Sequence, residues 1–143
     1  MRDARPSGDA KRYVSNMNIH LKKIATELES AQILFEHSDE RILIDLPNKF
    51  GILEIKILED DSDSIQLLNG DFHTHGDLEA IEQNISREQA IRKLIEKIYN
   101  GELILIEECE HGKKPRRIIE KSLEHFLKYL PEGSTYKIFN KKT

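Results

Sequence analysis

Arg41–Gly70 reads RILIDLPNKFGILEIKILEDDSDSIQLLNG. Three short aliphatic runs, RILIDL, FGILEIKIL and SIQLLNG, are separated by Pro47-Asn48-Lys49 and by Asp60-Asp61-Ser62-Asp63. Runs of β-branched and other apolar residues bounded by Pro, Asn, Asp and Ser are strands by composition. Parallel neighbours need a crossover of about a dozen residues or more, which neither separator can supply. The three strands therefore form an antiparallel meander. AQILFEH, ending at Ser38-Asp39-Glu40, adds a fourth run on its amino-terminal side.

Working outward, Leu21, Ile24, Ala25, Leu28 and Ala31 recur at helical spacing, with Lys22, Lys23, Glu27 and Glu29 on the opposite side. This is an amphipathic helix of about four turns. Downstream, Ser86 with Gln89 three residues later is a capping box opening a second helix. Its apolar stripe is Ala90, Ile91, Leu94, Ile95 and Ile98, and Gly101 stands where a carboxy-terminal cap belongs. ELILIEE reads as a strand, EHGKKP as a turn, RRIIE as a strand, SLEHFLKYL as a helix stopped before Pro131, and TYKIF as a last strand. The fold class expected is α+β: one antiparallel β meander with two or three helices packed on one face and the other face open to water. Residues 1–16, with Pro6, Ser7, Gly8 and scattered charges, read as a flexible lead-in, and residues 17–143 as a single α+β domain.

Hydrophobic residues make up 38% of the chain and charged residues 34%, the balance of a water-exposed globule. No apolar run approaches the roughly 18 residues of a membrane span, and the first residues lack the apolar centre of a secretory leader. The single cysteine, Cys109, has no partner for an internal disulfide, which points to a reducing, cytoplasmic location and to a packed or edge thiol. Residues 17–112 carry 9 Lys/Arg against 21 Asp/Glu, whereas residues 113–143 carry 9 against 3. An acidic body repels phosphate backbones, making nucleic acid an unexpected partner, and attracts basic proteins.

The stretch Gly70–Asp77, GDFHTHGD, carries the chemistry-bearing residues. In an extended strand Asp71, His73, His75 and Asp77 project from one face. Imidazoles alternating with carboxylates suit zinc, manganese or iron. The letters DFHTHG resemble the first metal-binding motif of the amidohydrolases and of the polymerase and histidinol phosphatase family. That resemblance implies His73 and His75 as ligands, joined by Asp71, with zinc as cofactor. Those families build the site on a barrel of about 250 residues with further ligands on later strands. Here the later histidines are His111 and His125. A JAMM-type metalloprotease also uses H-x-H, but Gly76 follows His75 where it has proline, and no aspartate follows Ser86 at the required place.

The competing reading is a polar strand surface. Ile65 and Leu67 share parity with Asp71, His73 and His75, so an unbroken strand would bury the polar set. A turn or bulge at Asn69-Gly70 is therefore expected to change the phase, send Phe72 into the core and leave Asp71, His73 and His75 on the open face.

A second resemblance spans about 75 residues. IQLLNGDFHTHGDL, then REQAIRKLIEKIYNGELILIEE, then HGKKPRR, through to YKIF, resembles small bacterial proteins of the immunity type, which neutralise polymorphic or contact-dependent toxins. It implies a single-domain protein that binds one toxin domain, performs no chemistry and carries no cofactor. Asp71, His73, His75 and Asp77, with Asp60, Asp61 and Asp63, are then expected to form or border the contact surface. Two alternatives stand beside it: a small metal-dependent hydrolase using His73 and His75, and an assembly subunit that dimerises through the open sheet. The run Glu59–Asp63 lacks the ligand spacing of a calcium loop and reads as a solvated turn. Lys113, Lys114, Arg116 and Arg117 read as an exposed hairpin tip.

Overall fold

The computed structural model describes residues 17–140; the expected lead-in at residues 1–16 lies outside them. Helix α1 (Ile19–Ser30) starts where the Asn18 side chain accepts the His20 and Leu21 amides, and it buries Leu21, Ile24, Ala25 and Leu28. The meander follows as β1 (Glu36–His37), β2 (Arg41–Asp45), β3 (Ile52–Ile57), β4 (Asp63–Leu67) and β5 (His73–Thr74). They hydrogen-bond in that order, each antiparallel to the next. A single turn of 3-10 helix at Pro47–Lys49 joins β2 to β3, with Asn48 and Lys49 both at positive φ.

Helices α2 (Gly76–Gln83) and α3 (Arg87–Tyr99) come next, then β6 (Ile104–Cys109), β7 (Arg116–Glu120), α4 (Leu123–Lys128) and β8 (Thr135–Ile138). The capping box of α3 is present as expected: the Ser86 hydroxyl accepts the Gln89 amide at 3.1 Å and the Gln89 side chain accepts the Ser86 amide at 3.1 Å. All five residues of the expected stripe are buried, and Gly101, just past the helix, has φ +83°.

The α+β class with an antiparallel meander holds, but the strands divide into two sheets rather than one. β6 lies between β7 and β8 in a separate three-stranded sheet, antiparallel to both. The physical reason lies in β6 itself. Its consecutive apolar residues feed two cores, Leu105 with Ile119 facing the main one and Ile106 with Ile118 and Phe126 forming a smaller one under α4. Burial on both faces sets β6 apart from the meander, whose second face carries Gln66 and His73 exposed.

In the five-stranded sheet, Ile42, Ile44, Leu53, Ile55, Ile65 and Leu67 are buried together with the apolar stripes of α1 and α3. Arg92 on α3 ties the helices through Glu27 on α1 at 2.6 Å. The other face of the sheet is crossed by the register-matched row Glu36, Leu43, Glu54, Gln66 and His73, one residue from each strand. Glu54 is buried there because Arg41 covers its carboxylate at 2.7 Å.

Among the described residues, Arg116 and Arg117 of β7 help to fasten the two sheets together. The Asp71 amide donates to the Arg117 carbonyl at 2.8 Å. The Arg117 guanidinium donates to Glu107 at 3.0 Å, to the Lys49 carbonyl at 3.1 Å and to the Phe50 carbonyl, and it lies over the rings of Phe50 and Phe139. Arg116 pairs with buried Glu108 at 2.7 Å and with Asp71 at 3.3 Å. Of the expected hairpin tip, Lys113 and Lys114 lie in the turn, whereas Arg116 and Arg117 lie in β7, Arg116 still exposed but ion-paired and Arg117 partly buried.

Candidate functional site

The turn expected at Asn69-Gly70 is present. Asn69 takes φ +61°, the Gly70 amide reaches back to the Leu67 carbonyl, and the phase changes. Phe72 packs against the main core, while His73 sits opposite Gln66 on the open face. The strand then ends after two residues, and here the extended reading of GDFHTHGD is corrected. Gly76 and Asp77 begin α2, so Asp77 belongs to a helix rather than to the strand carrying His73.

The start of α2 explains the motif. Its N-cap residue, His75, makes no side-chain cap. Asp63, thirteen residues earlier, takes that role: its carboxylate accepts the Gly76 amide at 2.5 Å and the Asp77 amide at 3.0 Å. The Asp77 carboxylate accepts the Asp63 amide in return at 3.4 Å. Two orphan donors of a helix start are thereby satisfied by a side chain from another element, and a carboxylate suits the positive end of the helix dipole. Gly76 must lack a side chain, since a Cβ there would stand 2.6 Å from Ile91 of α3.

Both histidines take part. The His75 Nδ1 lies 2.6 Å from the Asp63 carbonyl oxygen. A carbonyl oxygen only accepts, so Nδ1 carries the proton. His73 Nε2 meets the Ser64 hydroxyl at 3.0 Å, and the two imidazoles stand edge to face with centroids 4.6 Å apart. Arg87 completes the brace by donating to the Asp61 carbonyl at 2.7 Å and contacting Asp77 at 3.5 Å.

The seven expected contact residues therefore separate. Asp63 is fully buried, so it cannot sit on a contact surface. Its register explains this: Asp63 pairs with Ile57 and shares parity with Ile65 and Leu67 on the core face. Burial raises its carboxyl pKa above 3.8, with the Gly76 and Asp77 amides acting in the opposite sense and the Asp77 charge adding to the rise. Asp60 and Asp61 stay exposed in the β3–β4 turn, where the Ser62 hydroxyl and amide bind Asp60 and lower its pKa. Asp71 is drawn to Arg116 on the other sheet, away from the histidines. His73, His75 and Asp71 do not converge, and among the described residues no three His, Cys, Asp or Glu side chains are grouped to hold a metal ion. Cys109 is a partly buried free thiol at the end of β6, opposite Thr135.

Sequence reasoning missed Asp63 as a cap and Arg117 as an inter-sheet tie. The signal for Asp63 was present in its parity with Ile65 and Leu67. No comparable local signal marks Arg117, whose partners lie 67 and 68 residues away.

Compared with family models, curated protein sequences and solved structures, the chain has no match in any of the three. Among the described residues no helix is long and apolar enough to cross a membrane.

Proposed function

We propose that the chain is a non-enzymatic binding protein of the immunity type, which acts in the cytoplasm and occludes a bacterial toxin domain with the open face of its five-stranded sheet. The observation that carries this reading is the row Glu36, Leu43, Glu54, Gln66 and His73, which crosses all five strands on the face opposite α1 and α3. A rigid sheet bearing mixed polar and apolar side chains is a surface suited to a preformed partner. The acidic residues Asp60 and Asp61 border that face and favour a cationic partner through steering. The hydrolase alternative loses support because Asp71 is engaged by Arg116 and His75 by the Asp63 carbonyl. Dimerisation through the same face remains the competing outcome of the test.

The test places a benzoylphenylalanine photo-crosslinker at Gln66 on the open face or at exposed Lys23 on α1. Irradiation in cells is expected to give one specific heterologous adduct from position 66 and none from position 23. The captured protein, expressed alone, is expected to arrest growth, and co-expression of this chain to restore it. A chain-to-chain adduct from position 66, or no adduct, contradicts the proposal.

A further inference from the structure

We infer that a cavity at one end of the open face receives an apolar side chain flanked by Lys or Arg from a basic protein partner. This rests on the binding reading above and narrows it. The cavity, about 380 Å³, lies at the Asp45–Ile52 end of the strands, away from the acidic turn, and is lined by Leu34, Leu43, Ile52 and Tyr99 with Glu36 and Asp45. Leu34 is 86% exposed and Tyr99 43%, a concentration of uncovered apolar surface next to two carboxylates. Contiguous apolar patches with a polar rim mark interaction sites.

Charge selects the occupant. Glu36 and Asp45 are exposed, and among the described residues neither forms an ion pair, in contrast to Glu54, Glu107 and Glu108, which each hold an arginine. A partner that fills the apolar walls brings its own flanking groups beside these two carboxylates. Cations there gain partners, whereas anions meet like charge as water is excluded. The Tyr99 hydroxyl donates to the Asp45 carbonyl at 3.2 Å, which fixes one wall of the cavity. Cavities that hold small ligands run from about 300 to 1,000 Å³, so this one, at the low end, suits one or two side chains rather than a whole segment.

The test uses the full chain, labelled with nitrogen-15, and two blocked tripeptides as probes, acetyl-Arg-Trp-Arg-amide and acetyl-Glu-Trp-Glu-amide. The basic peptide is expected to shift the amides of Leu34, Glu36, Leu43, Asp45, Ile52 and Tyr99 saturably, and the acidic peptide to bind about tenfold more weakly. Leu34→Ser, at a position whose exposure keeps the fold out of play, is expected to weaken the basic peptide about tenfold. Glu36→Gln with Asp45→Asn is expected to bring the two peptides within about threefold of each other. Equal binding of the two peptides by the native chain, shifts confined to other residues, or a homodimer dispersed by Leu34→Ser overturns the inference. Gln66 lies outside the cavity, so the two claims fail separately. A position-66 adduct beside a cavity that ignores the basic peptide removes only this inference. Peptide binding without such an adduct removes the broader reading instead.

Discussion

Asp63→Ala is expected to cost the fold about 3 kcal/mol. Two amides at the start of α2 lose their acceptor, each worth about 1–3 kcal/mol when left buried and unsatisfied, while relief of the buried carboxylate offsets part of the loss. The carboxylate and its two donors, the Gly76 and Asp77 amides, define that cost. Asp63→Asn separates geometry from charge. Its amide offers one oxygen where two amides need acceptors, so it is expected to be destabilising near neutral pH by about 1–2 kcal/mol. It also removes a pH dependence. Because burial raises the folded-state pKa of Asp63, the folded chain holds that proton to higher pH than the unfolded chain does. The resulting stabilisation is complete below 3.8 and is lost as pH rises through the raised value. Urea midpoints measured in steps from pH ~3.5 to ~7 should show wild type losing stability relative to Asp63→Asn as pH climbs through that window. Parallel curves for the two proteins would show that Asp63 does not titrate differently on folding.

Arg117→Ala is expected to cost about 2–3 kcal/mol. One guanidinium serves Glu107, the Lys49 and Phe50 carbonyls and two aromatic faces, and it joins the three-stranded sheet to the β2–β3 turn. Charge-assisted hydrogen bonds and cation–π contacts each contribute about 1–3 kcal/mol when partly buried, and the side chain's residual exposure, 32%, trims the sum. Arg117→Lys keeps the charge but not the planar fork, so it is expected to recover less than half of the loss. Chemical denaturation of the three proteins measures both effects. Full recovery by lysine would mean that charge alone, and not the fork or the stacking, joins the sheets.

These two residues also mark where the sequence stopped being readable. The meander was legible because strand length, aliphatic composition and short separators are local properties, and α3 because its cap, stripe and terminal glycine all fall within one segment. The phase change at Asn69-Gly70 was legible from a burial argument, since continuing in register would have put His73 among Ile65 and Leu67. Helix α2 was not. Its cap comes from Asp63 on β4 rather than from a neighbouring residue, and Leu78 and Ile81 stay exposed, so neither a local cap nor a buried apolar stripe announced it. The strand ELILIEE was legible as a strand, but its pairing with RRIIE and TYKIF instead of the meander depends on contacts that no local pattern encodes. At the site the same limit applies: alternation puts Asp71, His73, His75 and Asp77 on one strand face, whereas Asp71 is drawn to Arg116, Asp77 starts a helix against Asp63, and only the two histidine rings stay together.

The contacts around GDFHTHGD brace the start of α2 against β4, and we propose that this role, not metal binding, accounts for the motif. Metal content of the untagged protein, measured by mass spectrometry beside the His73→Ala/His75→Ala double variant, tests it most directly. Both proteins are expected to carry far less than one zinc, manganese or iron per chain. About one such ion per chain in the wild type, lost in the double variant, would contradict it and make the two histidines ligands.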